Sequence, residues 1–453
     1  MSAIQQEKSF STTAIQPEER PSVLQDALQQ LEPLGGFDLV ATTVDEAENL
    51  NPAEEVMKEI FLTESENRQK RRQLKNRLKN WLELLRTTEN VGEMVEKSAA
   101  RSEATRSLVQ TNVKRGLDAS RKLEENYRTV TMFYKNATGD KPLKNISILN
   151  ASLEQVKDLE NSMFFNKVAD EFRDKFDRLD LMNNYSLLVL PGFLGGKAVI
   201  DKWGRLANEN KVMLVTDFRN LNSPDQVMKL FDSGKYTGAD DFRANVMITC
   251  NWLVGREKAA EMGETEPLYI PPSSALAGRM HANNIAQVTA GKKYGVLFEV
   301  QGVKFDVRAN VLEEMVTKGL VPMVYEFGQV QAFSPKTLFN GTNLGLQTYS
   351  VVRTFDWLSK SIMDYLNRML FQNISKNMEM DIRKELSRFL DQCKREKNII
   401  ENFGKVDVER DPNQRDRVNL KVHITPYFPA KSFVIKLDGK GGENPDWKAS
   451  MEE

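Results

Sequence analysis

Histidine and cysteine are nearly missing from this chain, with two of each in 453 residues. His281, His423, Cys250 and Cys393 lie far apart and share no ligand spacing, which argues against a transition-metal site of the usual kind. The two cysteines, both read here in helical segments, provide no disulfide framework and fit a reducing compartment. An excess of either charge is also missing: 63 basic residues face 64 acidic ones, for a net charge of −1. Nothing global therefore draws the chain to nucleic acid or to an anionic membrane, and neither is expected as a partner. No run approaches the ~18 to 20 apolar residues of a membrane span, and no basic segment leads into an apolar one at the start. The expectation is a soluble, cytoplasmic protein. There is no repeat of fixed period and no Gly-x-Ser-x-Gly elbow. Carboxylates are plentiful but sit in charge-rich helical stretches, where they read as solvated faces. No catalytic residue, cofactor or metal ligand is assigned, and an enzyme is not the leading expectation.

What is present is long enough for two or more packing units. Residues 1–52, rich in Gln, Glu, Ser, Thr and Pro, read as a flexible arm. It carries one short amphipathic helix, with Val23, Leu24, Ala27, Leu28 and Leu31 on one face after Pro21 and Ser22. Residues 53–140 have helical periodicity throughout. Leu74, Leu78, Trp81, Leu82 and Leu85 form one stripe and Val109, Val113, Leu117, Tyr127, Val130 and Tyr134 another, with a break between Thr87 and Gly92 that suggests a hairpin. Residues 141–345 change character. Tyr185 to Leu190 and Val212 to Thr216 are apolar runs of strand length around a helical segment bearing Trp203, the rhythm of a parallel sheet covered by helices. Helices are expected over Phe242 to Ala260 and Ser273 to Ala290. Strands are expected over Val296 to Val300, Val303 to Val307 and Val321 to Phe327, with a hairpin turn at Gln301 and Gly302. In residues 346–438, two long helices, Gln347 to Phe371 and Ser375 to Lys397, precede a terminal β-ribbon, and residues 439–453 read as an exposed tail. The fold class is therefore α/β, of mixed α+β character.

Two constellations invite a chemical reading. Gly192-Phe-Leu-Gly195-Gly196-Lys197-Ala198 lies between a strand and a helix, where a phosphate-binding loop belongs, and Val212 to Thr216 ends in Asp217. A P-loop needs four residues before its Gly-Lys pair and a hydroxyl after it, whereas three residues and Ala198 stand here. The glycines are better read as a tight strand-to-helix turn. The run Arg68, Lys70, Arg71, Arg72, Lys75, Arg77, Lys79 makes a locally basic helix without an aromatic platform, so it reads first as a solvated or intersubunit face. Ser273 and Ser274 after two prolines read as a helix N-cap.

The terminal ribbon is the most telling pattern. Val418, Leu420, Val422 and Ile424 alternate strictly with Asn419, Lys421, His423 and Thr425, which marks a half-buried strand. Phe433, Ile435 and Leu437 repeat the pattern after a Pro-rich turn, and Val406 and Val408 begin a third strand upstream. So small a ribbon, with unpaired backbone edges, needs either the body of the fold or strands from another chain.

Three stretches, in order, resemble one family. Asn310-Val-Leu-Glu-Glu-Met-Val-Thr-Lys-Gly-Leu-Val-Pro-Met-Val-Tyr325 is similar to a signature of the large sheath subunit of the type VI secretion system, the TssC/VipB family. Leu344 to Ile399 resembles its pair of long helices, and Ile424 to Leu437 its closing pattern, with Thr425-Pro426-Tyr427 where Arg-Pro-His is usual, as in a divergent branch. The resemblance implies a structural protein that pairs with a small sheath subunit (TssB/VipA-like) and copies of itself in stacked six-fold rings. Those rings surround an inner tube (Hcp-like) on a baseplate, and contraction drives the tube. It implies that Val418, Leu420, Val422, Ile424, Phe433, Ile435 and Leu437 join an intersubunit sheet by strand exchange, where charge should harm assembly more than folding. It further implies an AAA+ unfoldase (ClpV-like) that engages an N-terminal segment, for which Val23, Leu24, Ala27, Leu28 and Leu31 are the candidates. A nucleotide-binding α/β enzyme, a nucleic-acid adaptor and the sheath of a phage-tail-like particle remain open alternatives.

Overall fold

A computed structural model describes residues 68–88, 90–139, 142–160, 163–181, 183–414 and 416–430, and the backbone of 435–440 and 446–451. The arm helix expected at residues 22–31 and Phe433 lie outside the described residues. Two compact units divide the chain, Met1–Thr111 and Asn112–Glu453.

In the first unit, α1 (Arg68–Thr87) is followed by α2 (Val91–Asn136), which runs on into the second unit. Thr87 and Thr88 turn their hydroxyls back onto the carbonyls of Glu83 and Leu84, closing α1 where the sequence break was expected. The Asn90 side chain then accepts the Glu93 amide at 2.8 Å and starts α2. Lys97 to the Thr87 carbonyl and Arg101 to Glu83 tie the corner. Of the α1 stripe Leu74 is half-buried and Leu78, Trp81, Leu82 and Leu85 are exposed, while the buried residue of this helix, Leu84, lies off the stripe. The stripe therefore does not close on its own hairpin.

The second unit is built on a five-stranded sheet in the order β1 (Leu187–Phe193), β2 (Met213–Asp217), β3 (Val246–Cys250), β7 (Leu320–Glu326), β8 (Gln329–Ala332). The first four strands are parallel, and β8 returns antiparallel to β7. Every residue of β2 and β3 is buried, as continuous apolar runs in a doubly covered sheet require. Their side chains alternate between two cores. Leu214, Val246 and Ile248 pack with Trp203, Phe172 and Phe231 on one face; Met213, Val215 and Met247 pack with Met132, Leu276 and Tyr349 on the other.

The first face is covered by α4 (Met163–Phe176), α5 (Lys197–Glu209) and α6 (Pro224–Gly234), with the short α3 (Leu153–Lys157) beside them. A Cβ on Gly204 would come within 2.8 Å of Val246, so α5 approaches β3 as closely as glycine permits. The second face is covered by the end of α2, by α7 (Ser273–Ala282) and by α10 (Tyr349–Asn367). Asn136 on α2 exchanges two hydrogen bonds with the backbone of Phe298.

Three expectations are corrected here. Phe242 to Ala260 is not a helix: a 3-10 turn, Asp241–Asn245, leads into β3 and then β4 (Leu253–Arg256), so Cys250 ends a strand. A short, fully buried apolar run satisfies helix and strand periodicity alike, and its β-branched content was the missed cue. α7 ends at Ala282, because Asn283 turns to extended backbone. No hairpin forms at Gln301: β4 pairs with β5 (Leu268–Ile270) and with β6 (Gly302–Val303), while Val296 makes a single bridge to Gln331. The remaining helices here are α8 (Gly291–Tyr294) and α9 (Ala309–Thr317), the latter feeding β7.

After α10 comes α11 (Lys376–Arg395), started by Ser375, whose side chain accepts from the Met378 amide. Its buried stripe Ile382, Leu386, Leu390 and Cys393 forms a third core with Leu358, Ile400, Val406 and Val408. β9 (Ile400–Phe403), β10 (Asp407–Arg410), β11 (Val418–Lys421) and β12 (Ile424–Pro426) follow, then β13 (Ile435–Lys440) and β14 (Asp446–Met451).

Candidate assembly interface

The Gly192 loop is a strand-to-helix turn whose first amide is spent inside the fold. Gly192 and Gly195 both take positive φ, and α5 starts directly afterwards at Lys197. Asp217, only 1% exposed, accepts the Gly192 amide at 2.7 Å, the Ser273 amide at 2.8 Å, the Ser273 hydroxyl at 2.6 Å and the Thr249 hydroxyl. Burial pushes its carboxyl above the usual range against these four donors. One side chain thus pins the ends of β1, β2 and β3 to the start of α7. Ser273 serves Asp217 and does not cap its own helix, as the sequence had suggested.

At the other end of the chain the expected ribbon is re-wired. Val418 to Ile424 is not one continuous strand: it breaks at Val422 and His423 into β11 and β12. β11 pairs antiparallel with β10, Val408 opposite Leu420, and β12 pairs antiparallel with β9, Ile424 opposite Phe403. Neither pairs with β13, which instead forms an antiparallel hairpin with β14, Ile435 opposite Met451, across the segment expected to be a bare tail. Val418, Leu420, Val422 and Ile424 are half-buried against the third core. They are brought together, but as the inner face of the chain's own ladders. Charge at Leu420 therefore strikes the body of the fold as well as any interface.

The backbone edges are treated unequally. Arg383 on α11 donates to the carbonyls of Val406 at 3.1 Å and Val408 at 3.3 Å, which covers the outer edge of β10. The Asp411 amide bonds the Arg417 carbonyl at 2.8 Å, so the inward pairs of this ladder fall on alternate residues. By that alternation Val418 and Leu420 turn their backbone groups away from β10. Among the described residues no further strand pairs with β11 or with β12 beyond these ladders. Arg383 was not foreseen, since nothing in sequence separates it from the other charges on an amphipathic helix. Among the described residues no group of three His, Cys, Asp or Glu converges as metal ligands, and no helix is long and apolar enough to cross a membrane.

Known proteins resemble this chain in fold and in sequence. The cryo-EM structure of the anti-feeding prophage baseplate is similar at a TM-score of 0.50 and 16% identity, covering 69% of this chain and 80% of that one. The contracted helical sheath of the same prophage gives 0.49 at 16% identity, covering 68% and 80%. The contracted sheath complex of the extracellular contractile injection system PVC gives 0.45 at 15% identity, covering 56% and 71%. No curated protein sequence matches the chain. The chain shares its fold with a chain of that baseplate structure. Family models narrow this: the TssC/VipB central domain of the type VI secretion system matches residues 115–340, the TssC/VipB-like C-terminal domain 348–453, and the N-terminal region 24–113. The chain belongs to the TssC/VipB family and is a type VI contractile sheath subunit.

Proposed function

We propose that this chain is the large, non-enzymatic subunit of a cytoplasmic contractile sheath. It pairs with a small TssB/VipA-like subunit, stacks with copies of itself in six-fold rings around an Hcp-like tube, and contracts from a baseplate. The observation that carries this reading is the open edge of β11. Val418 and Leu420 are anchored on the third core, while among the described residues no strand pairs with the outward N–H and C=O groups of β11, which suits strand addition from a neighbour. β13, with Ile435 and Leu437, and the preceding Phe433 continue the same chain end and supply the donated strand in this reading. Linked edges let rings stay joined while subunits rotate between two lattice states. The exposed stripe of α1, with Trp81 at 54%, is the face assigned to the small subunit. The segment around Val23, Leu24, Ala27, Leu28 and Leu31 is assigned to a ClpV-like AAA+ unfoldase.

Val418→Pro tests the edge. Proline is tolerated at the first residue of a strand, and here it removes an outward N–H. Folding stability should fall by no more than about 1 kcal/mol, while co-expression with the small subunit should yield no tubules in electron micrographs. Full-length tubules from this variant would remove β11 from the intersubunit sheet.

A further inference from the structure

Between α10 and the segment leading into β1 lies a cavity of about 380 Å³, lined by Asn184, Tyr185, Lys211, Arg353, Trp357 and Lys360 among others. Three cations face it. Arg353 is 6% exposed, and its Nε and Nη1 have no hydrogen-bond partner. Lys360 is 8% exposed and donates to the Asn184 side chain at 3.1 Å and the Tyr185 carbonyl at 2.7 Å. Lys211 stands at the rim, 4.0 Å from Asp356.

The carboxylates lining the cavity are already committed. Asp356 accepts from the Asn245 amide group at 2.8 Å, and Asp364 accepts the Leu181 amide at 2.8 Å and pairs with Arg368 at 2.6 Å. The Tyr349 hydroxyl, beside Arg353, is occupied as acceptor of the Thr289 amide. Among the described residues Arg353 is thus a buried guanidinium with no counter-ion, and the Nδ2 of Asn184 is a second unsatisfied donor in the same wall. A buried charge left unpaired is strongly unfavourable, so a cavity lined by one is suited to receive an anion. Burial pulls Arg353 down to about 10 and Lys360 down to about 8, and raises Asp356.

We propose that this cavity is a binding site for one oxyanion, a carboxylate or a phosphate, held by Arg353 with Lys360 and Lys211. The source is either a free anion or an acidic side chain of a neighbouring sheath subunit. Only that second source rests on the sheath reading.

Sulfate is the probe, because its charge does not change between pH 7 and 9. Isothermal titration of the purified full-length chain at constant ionic strength should show one sulfate bound per chain. Arg353→Gln should weaken uptake at least tenfold, and Lys211→Gln, at the half-exposed rim, several-fold. Circular dichroism checks that the variants fold; if Arg353→Gln does not, Lys211→Gln decides. Raising the pH from 7 to 9 discharges Lys360, so affinity should fall. The groups facing Lys360 are Asp356, Lys211 and Tyr185; Asp364 and Arg353 also line the cavity. No sulfate uptake by the wild-type chain or wild-type affinity in the deciding variant would overturn the site, and a flat pH profile would remove Lys360 from it. Repeating the titration on assembled tubules separates the sources: uptake abolished by assembly assigns the cavity to a neighbour's carboxylate, and uptake retained assigns it to a free anion. The first titration needs no tubules, so its outcome is independent of the sheath reading.

Discussion

β2 and β11 are both short strands of one unit, yet they are used in opposite ways. β2 has strands on both sides and helices on both faces, and all five residues are buried. Among the described residues β11 has one strand neighbour, one face on the third core and one edge open. Complete use of faces and edges yields stability, whereas half use yields a surface that another chain can finish. The composition of each strand follows from its use. β2 reads Met-Leu-Val-Thr-Asp, nearly continuous in apolar residues, while β11 reads Val-Asn-Leu-Lys and alternates.

The sharpest way to stress the closed half is Trp203→Ala. Trp203 is fully buried on α5, packs edge-on against Phe165 at 4.8 Å, and donates its Nε1–H to the Val156 carbonyl at 3.0 Å. Its removal opens a large cavity and orphans that carbonyl, for an expected loss of about 4 kcal/mol. Urea unfolding measures it. A loss under ~1 kcal/mol would mean that the central core is no more committed than the terminal ladders.

A second variant tests the smaller sheet of β4, which is closed by charge. Arg256 bonds both oxygens of Glu124 on α2 and both oxygens of Glu264, and Arg121 and the Ala259 amide add to Glu264. Arg256→Met leaves the Glu264 carboxylate poorly compensated in a nearly buried position, and about 3 kcal/mol should be lost at neutral pH. The pH dependence carries the sign. Hydrogen bonds from Arg256 hold Glu264 down to about 2, against an ordinary value of 4.5, and lower Glu124 as well. A carboxylate with a depressed folded-state pKa stabilises fully above its ordinary value, and that contribution fades as the pH falls from 4.5 toward about 2. The wild-type chain should therefore lose stability steeply across that window, and Arg256→Met should lose much less. Parallel acid profiles would dismiss the network as a source of stability.

How much of this was legible in the sequence follows the same division. The parallel strands at Leu187 and Met213, the helix break near Thr88, and the two long helices are local patterns, and local patterns survive reading in one dimension. β3 was missed because burial on both faces removes the alternation that marks a strand. The ribbon's strands were found but not their partners: the alternation of Val418 to Ile424 fixes which side chains share a face, not which strand lies alongside. That choice was made by the break at Val422 and His423, which sends Leu420 to Val408 and Ile424 to Phe403. The uncompensated guanidinium of Arg353 was hidden for a related reason, since one charge on an amphipathic helix looks like any other until the fold closes over it.

The smallest of these effects is the one that most sharpens the contrast between closed and open strands. Leu420 is half-buried opposite Val408, its side chain on the third core and its backbone on the open edge. Leu420→Ala removes roughly half the apolar burial of a core leucine, so about 1 kcal/mol should be lost in urea unfolding of the unassembled chain. The backbone edge is left intact, and tubules should still form with the small subunit. That outcome would separate Leu420→Ala from Val418→Pro, which spares more of the packing but blocks the edge. Should Leu420→Ala instead cost as much as Trp203→Ala, the terminal ladder would belong to the same cooperative unit as the central sheet. An open edge would then be compatible with a closed core, and the rule drawn from β2 and β11 would fail.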